Sequence, residues 1–119
     1  MTQLTLDTPT GPMCLTERDG AIVRLEWGEG GHDHTLLLDA AMRQVQDYFA
    51  GQRETFDLPL VVDGSDFQRA VCDAMIAIPF GYTKTYGEIA KALGVPAQAV
   101  GQACGGNPIP VIIPCHRVM

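Results

Sequence analysis

Thr85-Tyr86-Gly87-Glu88-Ile89-Ala90-Lys91-Ala92-Leu93-Gly94-Val95-Pro96-Ala97-Gln98-Ala99-Val100-Gly101-Gln102-Ala103-Cys104-Gly105-Gly106 reads as two short helices separated by a tight turn. Thr85 with Glu88 three residues on is a capping box that starts the first helix. Gly94 closes that helix after Leu93. Pro96 suits the first turn of the next helix, over residues 97–104, and Gly105-Gly106 stops it. Such a pair is a helix-turn-helix, although the same pattern also serves as a plain αα-hairpin packed for stability. The second helix carries no charge and hardly any large side chain. A base-edge reader in the major groove normally brings Arg, Asn or Gln on a helix that fits a wide groove. An Ala and Gly face permits close approach to a narrow groove and its sugars instead.

Outward from this pair toward the C-terminus lies Ile112-Ile113-Pro114-Cys115-His116-Arg117-Val118, a cysteine between a β-branched run and two adjacent basic side chains. Pro114 donates no backbone hydrogen bond, so it is expected to end a strand and fix where the thiol emerges. A thiol reacts as thiolate, and a free cysteine with a pKa of about 8.5 is only slightly ionised at neutral pH. A neighbouring imidazole, directly or through a water, removes that proton, and Arg117 favours the resulting anion. The triplet alone reads more readily as a buried cysteine at a strand end.

Toward the N-terminus, Ser65 and Gln68 form a second capping box opening a helix. Phe67, Ala70, Val71, Ala74, Met75 and Ile78 share one of its faces, Cys72 lies off it, and Pro79 ends it. Asp63-Gly64 is a turn, which sets the expected boundary between a lobe over residues 1–64 and one over residues 65–119. In the first lobe, Leu4-Thr5-Leu6 and Met13-Cys14-Leu15-Thr16 read as strands around a Pro9-Thr10-Gly11-Pro12 turn. Asp19-Gly20 marks a hairpin before residues 21–27, where Val23, Leu25 and Trp27 alternate with charges and are assigned to the dry face. Residues 28–34 read as a mobile loop in which His32 and His34 lack further ligands for a metal. Met42, Val45 and Phe49 space a helix over residues 39–50, stopped by Gly51. The expected fold is α+β, a small antiparallel sheet plus helix followed by a helical lobe carrying Cys115.

The net charge is −6 over 119 residues, which taken whole argues against nucleic-acid binding. The charge is uneven, however. Residues 1–65 hold eleven acidic and four basic side chains, whereas residues 66–119 hold Asp66, Asp73 and Glu88 against Arg69, Lys84, Lys91 and Arg117. The objection therefore weakens for the second lobe. Cys14, Cys72, Cys104 and Cys115 show no paired close spacing and read as reduced thiols of a cytoplasmic protein. No apolar run approaches the roughly 20 residues needed to span a membrane.

The segment Asn107-Pro108-Ile109-Pro110-Val111-Ile112-Ile113-Pro114-Cys115-His116-Arg117-Val118 resembles the active-site segment of the O6-alkylguanine-DNA alkyltransferases, or methylated-DNA–protein-cysteine methyltransferases. The resemblance runs back through Phe67-Gln68-Arg69-Ala70-Val71, Ile78-Pro79-Phe80-Gly81 and Thr85-Tyr86-Gly87-Glu88-Ile89-Ala90. It implies direct, single-use repair of double-stranded DNA by a monomer without cofactor, and leaves O4-alkylthymine open as a second substrate; some members carry zinc in the first lobe, but no matching ligand set is present in this sequence. By resemblance Cys115 accepts the alkyl group, His116 is general base through a water, and Asn107 braces the loop. Tyr86 would help rotate the nucleotide out of the stack, since chemistry on a stacked base requires extrusion. Substrate and DNA contacts would come from Thr85, Ala97, Gln98, Ala99, Gly101, Gln102, Arg117 and Val118. Gln98 stands where most members carry an arginine that fills the gap left by the lifted base. Members also continue past this motif with a pocket loop and a helix whose glutamate orients the histidine, whereas this sequence stops at Met119. The resulting expectation is a truncated chain that transfers alkyl groups poorly, with apolar surface exposed around residues 111–113 and 67–78.

Two other classes compete. A truncated, non-catalytic alkylated-DNA-binding protein would share the helix-turn-helix. A cysteine hydrolase would also use Cys and His, but those usually come from separate elements, whereas adjacent residues in an extended segment point to opposite sides.

Overall fold

The computed structural model describes all 119 residues. Three strands, β1 (Thr2–Thr8), β2 (Gly11–Arg18) and β3 (Ala21–Trp27), form an antiparallel sheet in that order. Two-residue loops join them, and Asp19 (φ 50°) and Gly20 (φ 79°) supply the left-handed pair that a hairpin with native twist demands. Leu4 faces Leu15, which faces Leu25, so one row of leucines crosses all three strands. Helix α1 (Leu36–Phe49) packs on the sheet and buries Leu38, Ala41 and Val45.

Three features of this unit differ from the sequence reading. α1 starts a turn earlier than residue 39, because Thr35 caps it by accepting from the Leu38 N–H. Its buried stripe accordingly shifts to Leu38, Ala41 and Val45, leaving Met42 and Phe49 half-exposed. Trp27, at the very end of β3, is 56% exposed instead of buried. Residues 28–34 are no free loop. They run along β1, with Thr5 N–H donating to Gly31 O and Asp33 N–H to Gln3 O at 2.9 and 2.8 Å. A Cβ at Gly30 would lie 2.5 Å from Cys14 Sγ, so this apposition depends on a missing side chain.

The chain divides into two compact units, Met1–Val61 and Val62–Met119. The second is built from α2 (Asp66–Ile76), α3 (Tyr86–Leu93) and α4 (Ala97–Gly105). Both of its first two helices are capped as their sequences require. Ser65 accepts from Gln68 N–H, and Thr85 and Glu88 exchange both bonds of a full capping box. Gly94 adopts φ 70° and lets Val95 N–H reach back to Ala90 O, closing α3 and turning the chain into α4. α3 packs on α4, and α4 on α2.

The box on α2 is only half made. Gln68 turns its amide away from the cap and donates to Ala103 O at 2.8 Å, tying α2 to α4. Cys72, off the apolar stripe by spacing, is fully buried. Of the apolar surface expected around residues 67–78 and 111–113, Ile76 is laid open at 47%, but most of the rest is not. Val71, Met75, Ile78, Ile112 and Ile113 are all buried within this unit. No helix is long and apolar enough to cross a membrane. Gln68→Ala is expected to lower the unfolding free energy of the full chain by about 1 kcal/mol, the usual worth of one such bond. Urea unfolding checks it, and unchanged stability would show that the α2–α4 tie is idle.

Candidate active site and nucleic-acid interface

After α4 the chain folds into a tight loop over residues 107–114. Ile113 N–H donates to Ile109 O at 2.9 Å, and Val111 between them sits at φ 74°. A β-branched residue with positive φ is a genuine outlier, held only when its surroundings over-determine it. Beside the Ile113–Ile109 bond and the buried isoleucines, one side chain spans the turn. Asn107 accepts from Ile109 N–H at 3.0 Å and donates through Nδ2 to Ile113 O at 2.9 Å, so it grips both ends of the strained turn.

The expected strand ending at Pro114 is absent. Its β-branched residues are bent through the turn, and Pro114 (φ −82°, ψ 69°) forms an inverse γ-turn closed by Cys115 N–H to Ile113 O at 2.8 Å. Cys115, His116 and Arg117 then form one 3-10 turn. Adjacent side chains on such a turn lie about 120° apart instead of on opposite sides, as its three residues per turn dictate. Cys115 is half-buried and His116 exposed. All four cysteines are free thiols, and the other three are buried.

His116 is held below its ordinary pKa, first by lost hydration and then by the neighbouring Arg117 charge. The neutral imidazole, able to accept a proton, therefore persists to lower pH than usual. Arg117 does not turn to the thiol. Its guanidinium donates to Ile78 O at 2.8 Å and lies 5.5 Å from the centre of the Phe80 ring, so its part is to anchor the turn. Val118, expected to contact substrate or DNA, is buried. It pairs in parallel with Lys84, whose N–H meets Arg117 O and whose O accepts from Met119 N–H. Tyr86 N–H donates to Met119 O, so the start of α3 is stitched to the segment just after the cysteine.

The α4 residues singled out from sequence divide cleanly. Ala97, Gln98 and Gln102 are exposed and Ala99 and Gly101 half-exposed, while Val100, Ala103 and Cys104 face inward. A Cβ at Gly101 would meet nothing within 4 Å. Glycine inside a helix costs roughly 1 kcal/mol relative to alanine, and no packing inside this chain requires it. Thr85 Oγ1 is committed to the cap of α3, which limits it as a nucleic-acid contact, whereas the Tyr86 ring is partly exposed. The Val111 strain, the Gln68 tie and the Arg117–Phe80 contact were not read from sequence. Pro110 ahead of Val111 is the one available signal for the turn.

Fold and site together define a class: an α+β protein whose helix-turn-helix unit carries a free thiol on a braced loop. Comparison with known proteins identifies the family. The model for the DNA binding domain of 6-O-methylguanine DNA methyltransferase matches residues 66–119, and that for its ribonuclease-like domain matches residues 1–62. The constitutive methylated-DNA–protein-cysteine methyltransferase of Bacillus subtilis is 40% identical, over 97% of this chain and 78% of its own length. The methylated-DNA–protein-cysteine methyltransferase of Methanosarcina acetivorans is 51% identical, over 95% and 80%. The crystal structure of Mycobacterium tuberculosis OGT in complex with DNA superposes with a TM-score of 0.89 at 40% identity, covering 98% of this chain and 77% of that one. This chain belongs to the 6-O-methylguanine DNA methyltransferase family.

The electrostatics of the turn predict a titration. The His116 imidazole should titrate below 6.5 in the folded chain, and Arg117→Gln should move it up only part of the way, because lost hydration remains the larger cause. Between the folded value and 6.5 the unfolded chain binds a proton that the folded chain does not, so this contribution to stability is lost as pH falls through that window. Ring-proton NMR checks both values, and a folded His116 pKa at or above 6.5 contradicts the account.

Proposed function

We propose that this chain repairs double-stranded DNA by taking the alkyl group of O6-alkylguanine onto Cys115. The carbon–oxygen bond of the lesion breaks as the sulfur–carbon bond forms, the electron pair returns to the guanine, and the cysteine ends as a thioether. His116, neutral at physiological pH, receives the thiol proton through a water, and guanine is reprotonated as it leaves. A thioether has no easy route back to a thiol, so each molecule acts once. The residues named supply the whole reaction without a cofactor.

The observation that carries this reading is the pairing of a braced, half-buried thiol with the outward face of α4. Ala97, Gln98, Gly101 and Gln102 make that face small and uncharged, and Gly101 has no internal reason to be glycine. A narrow groove supplies the reason. Residues 65–119 would then be the DNA-binding alkyltransferase lobe, with Ala99 at the edge of the groove and Tyr86 at the nucleotide being rotated out. Gln98 can hydrogen-bond the base left without a partner, although it fills less of the gap than an arginine. Arg117 and Val118 act by holding the Cys115 turn against Lys84. The four free thiols suit the cytoplasm.

Peptide mass mapping after exposure to duplex carrying O6-methylguanine tests the reading. One methyl group is expected on Cys115 and none on Cys14, Cys72 or Cys104. Methylation of another cysteine with Cys115 free would sink it, and lesion binding with no methylation at all would leave the non-catalytic class in its place.

A further inference from the structure

The two edges of the sheet in the first unit are finished differently. β1 pairs outward with the stretch that follows β3, through the bonds at Gly31 and Asp33. β3 is covered only at its start, where Ile22 N–H donates to Pro59 O at 2.9 Å and Ile22 O accepts from Val61 N–H at 3.0 Å. Just beyond, the register against Thr16 and Glu17 slips by one residue and leaves Val23 as the extra one. Gly28 N–H turns inward to Pro12 O, so by the alternation of an antiparallel ladder the N–H and C=O of Leu25 and Trp27 point outward. No backbone group outside the sheet meets them. The side chains along this edge are sorted by face. Val23 and Leu25 are buried on one side, with Trp27 exposed at the end of their row. Arg24 and Glu26 stand exposed on the other side and form an ion pair at 3.6 Å.

We propose that this edge pairs with the same edge of a second copy of the chain, antiparallel about Leu25, so that two three-stranded sheets become one. A two-fold contact must be self-complementary. With Leu25 facing its counterpart, the two residues exchange both N–H···O bonds. Arg24 of each copy then faces Glu26 of the other, and Trp27 of each lies against Val23 of the other. Directly opposed charges of opposite sign stabilise a pair of strands and like charges destabilise it, so the sequence selects this register. Centred on Val23 or Trp27, the pairing would set neither charge against its opposite. Centred on Arg24 or Glu26, it would bring like charges together. Natural edges are commonly guarded by charge of one sign, above all lysine, whereas a neutral Arg24–Glu26 pair gives no protection against its own reversed copy. So short an edge buries little area, and the pairing is therefore weak. The monomer implied by family resemblance is the dilute form of the chain. The edge uses no residue of the candidate site, so the inference stands apart from the repair reading.

The test is sedimentation equilibrium of the full chain without DNA, at concentrations up to about 1 mM, the range of weak complexes, together with amide hydrogen exchange. A monomer–dimer equilibrium is expected, with exchange at Leu25 N–H slowing as the concentration rises. Arg24→Glu and Glu26→Arg should each weaken self-association about tenfold, because each turns attractive cross-strand pairs into repulsive ones. Mixed in equal amounts, the two variants should associate with each other as the unsubstituted chain does with itself, since every facing pair is again opposite in charge. Unfolded variants could not rescue one another in this way. Methyl transfer by dilute protein should be unchanged in both. A single monomeric species at every concentration overturns the proposal. So does a dimer whose Leu25 exchange ignores concentration, or a pair of variants that fail to associate when mixed. Slowing at Leu25 on adding an unrelated extended peptide, with none on concentrating the chain itself, would assign the edge to a foreign strand and equally overturn it.

Discussion

Two hydrogen bonds from one side chain hold the candidate site in shape. The Asn107 amide spans Ile109 N–H and Ile113 O, and in doing so keeps Val111 in a backbone region that β-branched residues avoid. A left-handed non-glycine residue costs roughly 1–2 kcal/mol, comparable to what two good amide bonds return. The two amide bonds thus roughly offset the strain, and removing the amide leaves only the Ile113–Ile109 bond and the buried isoleucines to oppose it. Ile113 O also accepts from Cys115 N–H in the γ-turn at Pro114, so the same carbonyl that Asn107 fixes sets where the thiol begins.

The rest of the second unit converts that local geometry into a rigid platform. Ile109, Ile112 and Ile113 are buried, which gives the loop apolar anchoring despite its lack of regular structure. On the other side of the cysteine, Arg117 reaches the Ile78 carbonyl and Lys84 pairs with Val118, fastening the turn to the end of α2 and the start of α3. α4 leads directly into Asn107 through Asn107 N–H to Cys104 O. The end of α4 and the Cys115 loop are thus linked through Asn107. The partial loss of hydration and the Arg117 charge that lower the His116 pKa both arise in the turn that Arg117 anchors.

Much of this was legible from sequence where local chemistry decides structure. The Thr85–Glu88 box, the αL glycine at Gly94 and the Asp19-Gly20 hairpin each specify a conformation through their own side chains, and each forms as read. The misses arise where distant residues decide. Gln68 leaves its cap for Ala103 O because α4 is there to receive it. Residues 28–34 stay put because β1 offers unpaired edge groups and Gly30 leaves room for Cys14. Trp27 stays wet because it terminates β3. The β-branched run before Cys115 looked like a strand, but Asn107 binds it as a turn, and no period in the sequence encodes that long side-chain bridge. Asn107 itself was named only by resemblance, and the structure supplies the physical reason for it.

The most direct measurement is single-turnover methyl transfer from O6-methylguanine duplex to Asn107→Leu, read beside its duplex affinity and far-UV circular dichroism. Leucine keeps the side chain's bulk and removes only its hydrogen bonds. If the amide bridge is what presents Cys115, transfer should slow by about a hundredfold, the scale of loss that a misplacement near 1 Å produces. Affinity should stay within about twofold, since the α4 face is untouched and even one lost groove contact would cost more. Transfer at the unsubstituted rate in a folded Asn107→Leu chain would contradict the account.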